Sequence, residues 1–248
     1  MDPPVDPPEL QVNHQLHLYR STPATSRKKR LNKTKTRLKN GKAAGSDNIP
    51  PEALKVGGQT SIDILYDLFN TVWTTEEIPE DWLDGLLVKL PLKKGDTSCC
   101  KTWRGITLLS IPSKVLSSFM LERMKVHVDG GLREEQAGFR NGRSCADQIA
   151  TLRIITEQSI EFQTSLYLNF VDFEKTFDSI DHQVLWALLR HCGLPEKFIR
   201  MIQLFYNNFR CQVIHGGTLT EPLRVTTGVR QGCLLSPLPF LVVLDWAT

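Results

Sequence analysis

Apolar residues recur at helical spacing through residues 60–75, where Ile62, Leu65, Leu68 (or Phe69) and Val72 share one face and predict an amphipathic helix. The same spacing over Pro112–Val128 turns Val115, Leu116, Phe119, Met120 and Leu121 (or Met124) inward. Over Asp147–Phe162 it turns Ile149, Leu152 (or Ile155) and Ile160 inward. Further helices are predicted from Asp181 to about Cys192, from Pro195 to Phe209 and from Leu238 to Trp246. Strands are expected at Leu86–Leu92 and Thr102–Leu109, a hairpin whose loop carries Lys93-Lys-Gly-Asp96. Cys211–His215 and Leu223–Thr227 read as a second pair across Gly216 and Gly217. The uncharged run Leu166-Tyr-Leu-Asn-Phe-Val171 predicts a buried strand that ends on Asp172. This order of elements predicts an α+β fold, its strands not all parallel, with no internal repeat.

Composition adds little to this picture until charge is mapped. The 248 residues are 41% hydrophobic and 23% charged, with a net charge of +3. Residues 1–46 hold 10 Lys and Arg against 3 Asp and Glu, and the remainder 20 against 24. Between Glu9 and Asp47 there is no acid. This block, with Arg27-Lys-Lys-Arg30, Lys33, Lys35, Arg37, Lys39 and Lys42, attracts a polyanion, serves as an import signal, or is simply a solvated tail. Residues 1–26 are rich in Pro, Ser and Thr and read as disordered, followed by a basic, helix-compatible segment from Arg27 to Asn40. No apolar run approaches a membrane span, and the N-terminus lacks the charge pattern of a secretory signal. Six cysteines without metal-ligand spacing read as reduced thiols, so an intracellular protein of nucleus or cytoplasm is expected.

Taken singly, the polar candidates stay ambiguous. A carboxylate at the end of a strand, Asp172, meets solvent, substrate or a metal ion, or only caps a turn. Lys93, Lys94 and Arg104 on one hairpin grip a triphosphate or are plain surface charges. Phe139, beside Arg140 and Arg143, offers a ring and charge to a nucleic-acid strand. A metal-dependent nuclease built on Asp172, Asp178 and Asp181 is a further reading, but it leaves the other segments unexplained.

Five segments in order narrow the choice: GKAAGSDNIPPE, KKGD with TWRGITLL, EEQAGFRNGRS, FVDFEKTFDSID and GVRQGCLLSP. Together they resemble the reverse transcriptase of non-LTR (LINE-type) retrotransposons, from about Lys39 to the last residue. The resemblance implies a right-hand polymerase, with a disordered basic tail over 1–38, fingers over 39–162 and part of the palm over 163–248. It implies copying of an RNA template from a DNA primer with deoxynucleoside triphosphates and two Mg2+ ions. Asp172 then matches the metal-binding aspartate, and Phe173 adds its backbone carbonyl. Phe177 matches the ring that excludes a 2′-hydroxyl. Arg104 matches the arginine that holds the triphosphate, with Lys93 or Lys94 assisting. Gln136, Gly138, Phe139 and Arg140 match the template-contacting segment, and Gln231 and Gly232 the loop under the nascent base pair.

This chain departs from the family pattern at Thr176, where alanine is usual, and at Pro239, where leucine is usual. The family's aromatic-Ala-Asp-Asp hairpin, which shares the metals, has no match in the sequence. The expectation is therefore half of an active site: a polymerase domain inactive as this chain alone, or a non-catalytic nucleic-acid-binding remnant.

Overall fold

The computed structural model describes residues 24–91 and 102–247, so the expectations for Lys93 and Lys94 and for residues 1–23 lie outside the described residues. Strand β1 (Asp84–Pro91) pairs antiparallel with β2 (Trp103–Leu108), placing Leu90 opposite Arg104. Its other edge pairs in parallel with β3 (Arg210–His215), Gly85 opposite Cys211. Short strands β4 (Thr218–Leu219) and β5 (Leu223–Arg224) extend the sheet along β3. A mixed sheet with helices against it is the α+β class that the two periodicities predict.

The helices are α1 (Ala24–Thr36), α2 (Pro51–Val56), α3 (Gly58–Thr75), α4 (Ile111–Asp129), α5 (Cys145–Glu161), α6 (Thr176–Ser179), α7 (His182–His191), α8 (Glu196–Tyr206) and α9 (Pro237–Ala247). Side-chain caps fix three of their starts. Ser110 accepts from Ser113 N (3.3 Å) at α4, and Ser144 from Ala146 N (3.0 Å) at α5. Asp181 accepts from Gln183 N (2.8 Å) and Val184 N (3.0 Å) at α7, the capping role that its position after the motif suggests. The predicted faces of α3 and α4 meet α7, α8 and α9 in one core. Trp82 lies inside it, parallel to Phe205 (6.3 Å, 9°) and edge-on to Phe69.

Three expectations need correction. The first is the tail over 1–38: in its described part Ala24–Thr36 form helix α1, as the helix-compatible segment from Arg27 suggests, and that helix is docked. Leu31 is buried in the main core, Lys28 pairs with Asp63 (2.6 Å), and buried Lys35 donates to Gly58 O (2.7 Å). Burying one leucine side chain is worth about 2 kcal/mol, enough to dock a short helix that basic repulsion would otherwise fray. The second is the face of α5. Ile149 and Ile160 are 69% and 72% exposed, and the helix has no buried residue.

The third is the strand Leu166–Val171. The segment is irregular, with Tyr167 93% and Phe170 77% exposed. Among the described residues no strand pairs with it and residues 165–171 make no backbone hydrogen bond. Strand propensity is realised only when a neighbour satisfies the backbone groups.

Two consequences are measurable. Leu31→Ala should lower stability by about 2–4 kcal/mol in urea unfolding, as a core truncation does; an unchanged midpoint would mean that α1 is not docked. Glu76, at the left-handed C-cap of α3, binds Lys197 and Arg200, which hold its carboxyl at about 2, below its ordinary 4.5. A lowered carboxylate pKa stabilises the fold above the ordinary value and stops doing so as pH falls toward 2. Glu76→Gln should therefore lower the Tm at pH 7, and the difference should close between pH 4.5 and 2.

Candidate active site

The loop Thr227–Cys233 lies between α6 and β2 and joins three of the sequence motifs. Gly228 N donates to Ile180 O (2.7 Å) and Val229 N to Phe177 O (2.6 Å). Thr227 Oγ1 donates to Asp178 O (3.1 Å), and Gln231 Nε2 to Asp178 Oδ1 (2.6 Å). On the other side Thr107 N donates to Gln231 O (3.2 Å), fastening the loop to the strand that carries Arg104. Both glycines are required by contact. A Cβ on Gly228 (φ 79°) would lie 2.6 Å from Asp178 Cα, and one on Gly232 (φ 105°) 2.2 Å from Thr107 O.

Arg230, between these glycines, was not singled out in the sequence. It is 4% exposed, donates to Trp82 O (2.9 Å) and Phe205 O (3.1 Å), and packs 4.1 Å from the Phe209 ring centre. Among the described residues it has no carboxylate partner, and burial pushes its pKa down. Nothing in the sequence pattern marks one arginine as buried. Aromatics at 205 and 209 become its neighbours only through the turn after α8.

Phe177 stands on the single turn α6, half-buried, its ring stacked on Phe240 of α9 (4.1 Å, 13°). Phe139 is edge-on to both rings, at 6.5 and 6.2 Å, and is itself 64% exposed with a φ of 58°. Two motif residues 38 positions apart in sequence thus share one aromatic cluster, and Phe240 is a third member that the sequence did not flag. Arg140 lies next to them but its guanidinium is committed to the loop. It donates to Asp129 Oδ1 (2.8 Å), Asp129 O (3.1 Å), Arg133 O (2.6 Å) and Gln136 O (3.2 Å). Gly138 has open space where a Cβ would stand, and Gln136 is half-buried.

Arg104 is exposed on β2, and Asp172 is exposed on the irregular segment before α6. The Phe173 carbonyl already accepts from Thr176 Oγ1 (2.7 Å), the hydroxyl introduced where the resembled family has alanine. Asp178 accepts from Gln231 and Asp181 caps α7, so each carboxylate has a structural use of its own. Among the described residues no three His, Cys, Asp or Glu side chains are grouped to hold a metal ion. Asp172 with the Phe173 carbonyl does not fit a two-ion Mg2+ site, since each ion wants an octahedral shell of oxygens.

Residues 92–248, more than half of the chain, match the family described as "Reverse transcriptase (RNA-dependent DNA polymerase)". The "Transposon TX1 uncharacterized 149 kDa protein" of Xenopus laevis is 28% identical over 199 residues, covering 80% of this chain and 15% of that protein. The "Retrovirus-related Pol polyprotein from type-1 retrotransposable element R2" of Nasonia vitripennis is 27% identical, covering 79% and 19%. The "Putative 115 kDa protein in type-1 retrotransposable element R1DM" of Drosophila melanogaster is 29% identical, covering 84% and 20%. The chain thus spans a fifth or less of the length of these curated relatives. With three of its motifs held around one loop and more than half of its sequence matched in this way, the chain belongs to the reverse transcriptase (RNA-dependent DNA polymerase) family, and these relatives carry the names of transposons and retrotransposable elements.

Proposed function

We propose that residues 39–248 are the fingers and part of the palm of an RNA-directed DNA polymerase. The observation that carries this reading is the Thr227–Cys233 loop, which ties the Phe177 turn to the Arg104 strand through Asp178, Gln231 and Thr107. Arg104 binds the triphosphate of an incoming deoxynucleotide with its planar fork. Phe177, held flat against Phe240, is a rigid wall against a 2′-hydroxyl. Gln231 and Gly232 support the nascent pair, and Phe139 meets the RNA template while Arg140 holds the shape of the loop beneath it. Lys93 and Lys94 assist Arg104 in this reading.

Divalent-metal chemistry is general to the family, and Mg2+ is the ion we propose. Asp172 alone offers too few oxygens for it, so no catalytic step is assigned within residues 1–248. The lone carboxylate also favours a second reading, in which this chain binds template and nucleotide without synthesis.

Photo-crosslinking of a deoxynucleoside triphosphate to the chain with an RNA template and DNA primer tests the nucleotide site. Labelling should fall about tenfold or more in Arg104→Ala, an arginine–phosphate contact being worth roughly 1.5–3 kcal/mol. Phe177→Ala should label with ribonucleotides as well as with deoxynucleotides. Labelling indifferent to both substitutions would sink the polymerase assignment. In primer extension the 248-residue chain should make no DNA, and robust Asp172-dependent synthesis would show the metal site complete.

A further inference from the structure

Docking of α1 sorts its basic residues into two sets. Lys28 and Lys35 are spent on the protein, through Asp63 and Gly58 O. Lys29, Arg30, Lys33 and, just beyond the helix, Arg37 are exposed. At about 100° per residue these four fall within roughly a 100° arc, and Lys29 to Arg37 spans about 12 Å along the axis. Among the described residues Lys29, Arg30 and Lys33 have no acid partner, and Arg37 has only a 3.9 Å contact to exposed Glu122. An exposed pair at that distance is weak.

Arg37 also lines an open groove of about 550 Å3 together with Lys125, Phe139 and Asn141. Two acids line it as well: exposed Glu122, 3.9 Å from Arg37 and 3.8 Å from Lys125, and Asp129, which is held by Arg140. The exposed Phe139 ring stands edge-on to Phe177, beside the proposed nucleotide site. The cationic stripe and an exposed aromatic ring therefore border one groove.

We infer that the solvent face of α1 (Lys29, Arg30, Lys33, Arg37) and the groove to Phe139 form one track for single-stranded RNA, the unpaired template next to the copied base. The inference rests on the polymerase reading for the identity of that strand. The stripe neutralises phosphates, and the ring stacks an unpaired base, which a duplex would not present. The sequence alone offered the whole basic block as equivalent charge; docking turns Lys28 and Lys35 onto the protein and lines up Lys29, Arg30, Lys33 and Arg37 on the solvent side.

Fluorescence anisotropy with a single-stranded RNA oligomer tests the track on the intact 248-residue chain. Lys29→Gln, Arg30→Gln and Lys33→Gln together should weaken binding at least tenfold near 0.1 M salt. They should also flatten the dependence of log affinity on log salt by about 2, at roughly 0.7 per lost phosphate contact. A control with equal charge removed elsewhere, Arg153→Gln, Arg190→Gln and Arg224→Gln, should change both much less. Phe139→Ala should weaken binding without altering the salt slope.

Equal losses in the stripe and control variants would mean that only net charge matters and would overturn the track. So would wild-type chain that fails to bind RNA. Intact stripe-dependent binding with nucleotide labelling indifferent to Arg104 and Phe177 would overturn the polymerase reading and leave the track standing.

Discussion

The site region depends on a buried guanidinium that has no carboxylate partner among the described residues. Arg230 leaves water to bond the carbonyls of Trp82 and Phe205 and to lie against the Phe209 ring. Taking a charge out of water is expensive, and an ion pair is not what offsets it here. Two carbonyl acceptors and an aromatic face do so, all drawn from the turn before β1 and from the end of α8. The loop that carries Arg230 is pinned from beneath, while its outer edge meets Asp178 on one side and Thr107 on the other.

Around that pin the molecule is uneven. The core of α3, α4, α7, α8 and α9 is closed, with Leu185, Leu189, Ile199 and Ile202 inaccessible to solvent. The stretch from Ile149 to Phe173 is the opposite, with large apolar side chains exposed on α5 and on the segment that holds Asp172. These apolar side chains share the surface with the exposed Arg153–Glu157 ion pair and with Asp172. The carboxylate proposed for metal binding thus sits on the least supported part of the chain, whereas Phe177, a few residues on, is locked by Phe240 and Phe139.

Arginines illustrate how far residue type alone can be taken. Arg104, Arg140 and Arg230 all occur within motifs, and each has a different role. One is exposed on a strand, one is used up bonding its own loop, and one is buried under another loop. Five donors in a fixed fork suit all three uses, so the sequence cannot rank them. The partners decide.

The inward faces of α3 and α4 and the presence of α7, α8 and α9 were legible in the sequence, because a 3.6-residue period and its stop signals are local information. The sequence by itself also determined the β1–β2 hairpin, the cap at Asp181 and, through five ordered motifs, the family. Tertiary structure decided the rest. Among the described residues, Leu166–Val171 has strand composition but no neighbour to pair with, and α5 has a helical stripe but nothing to bury it against. Conversely, the helix-compatible segment from Arg27 shows no docking in its sequence, and only the fold places Leu31 in the core. Propensity and periodicity are written in the chain, but burial and pairing require a second surface, and only the folded protein shows which segments have one.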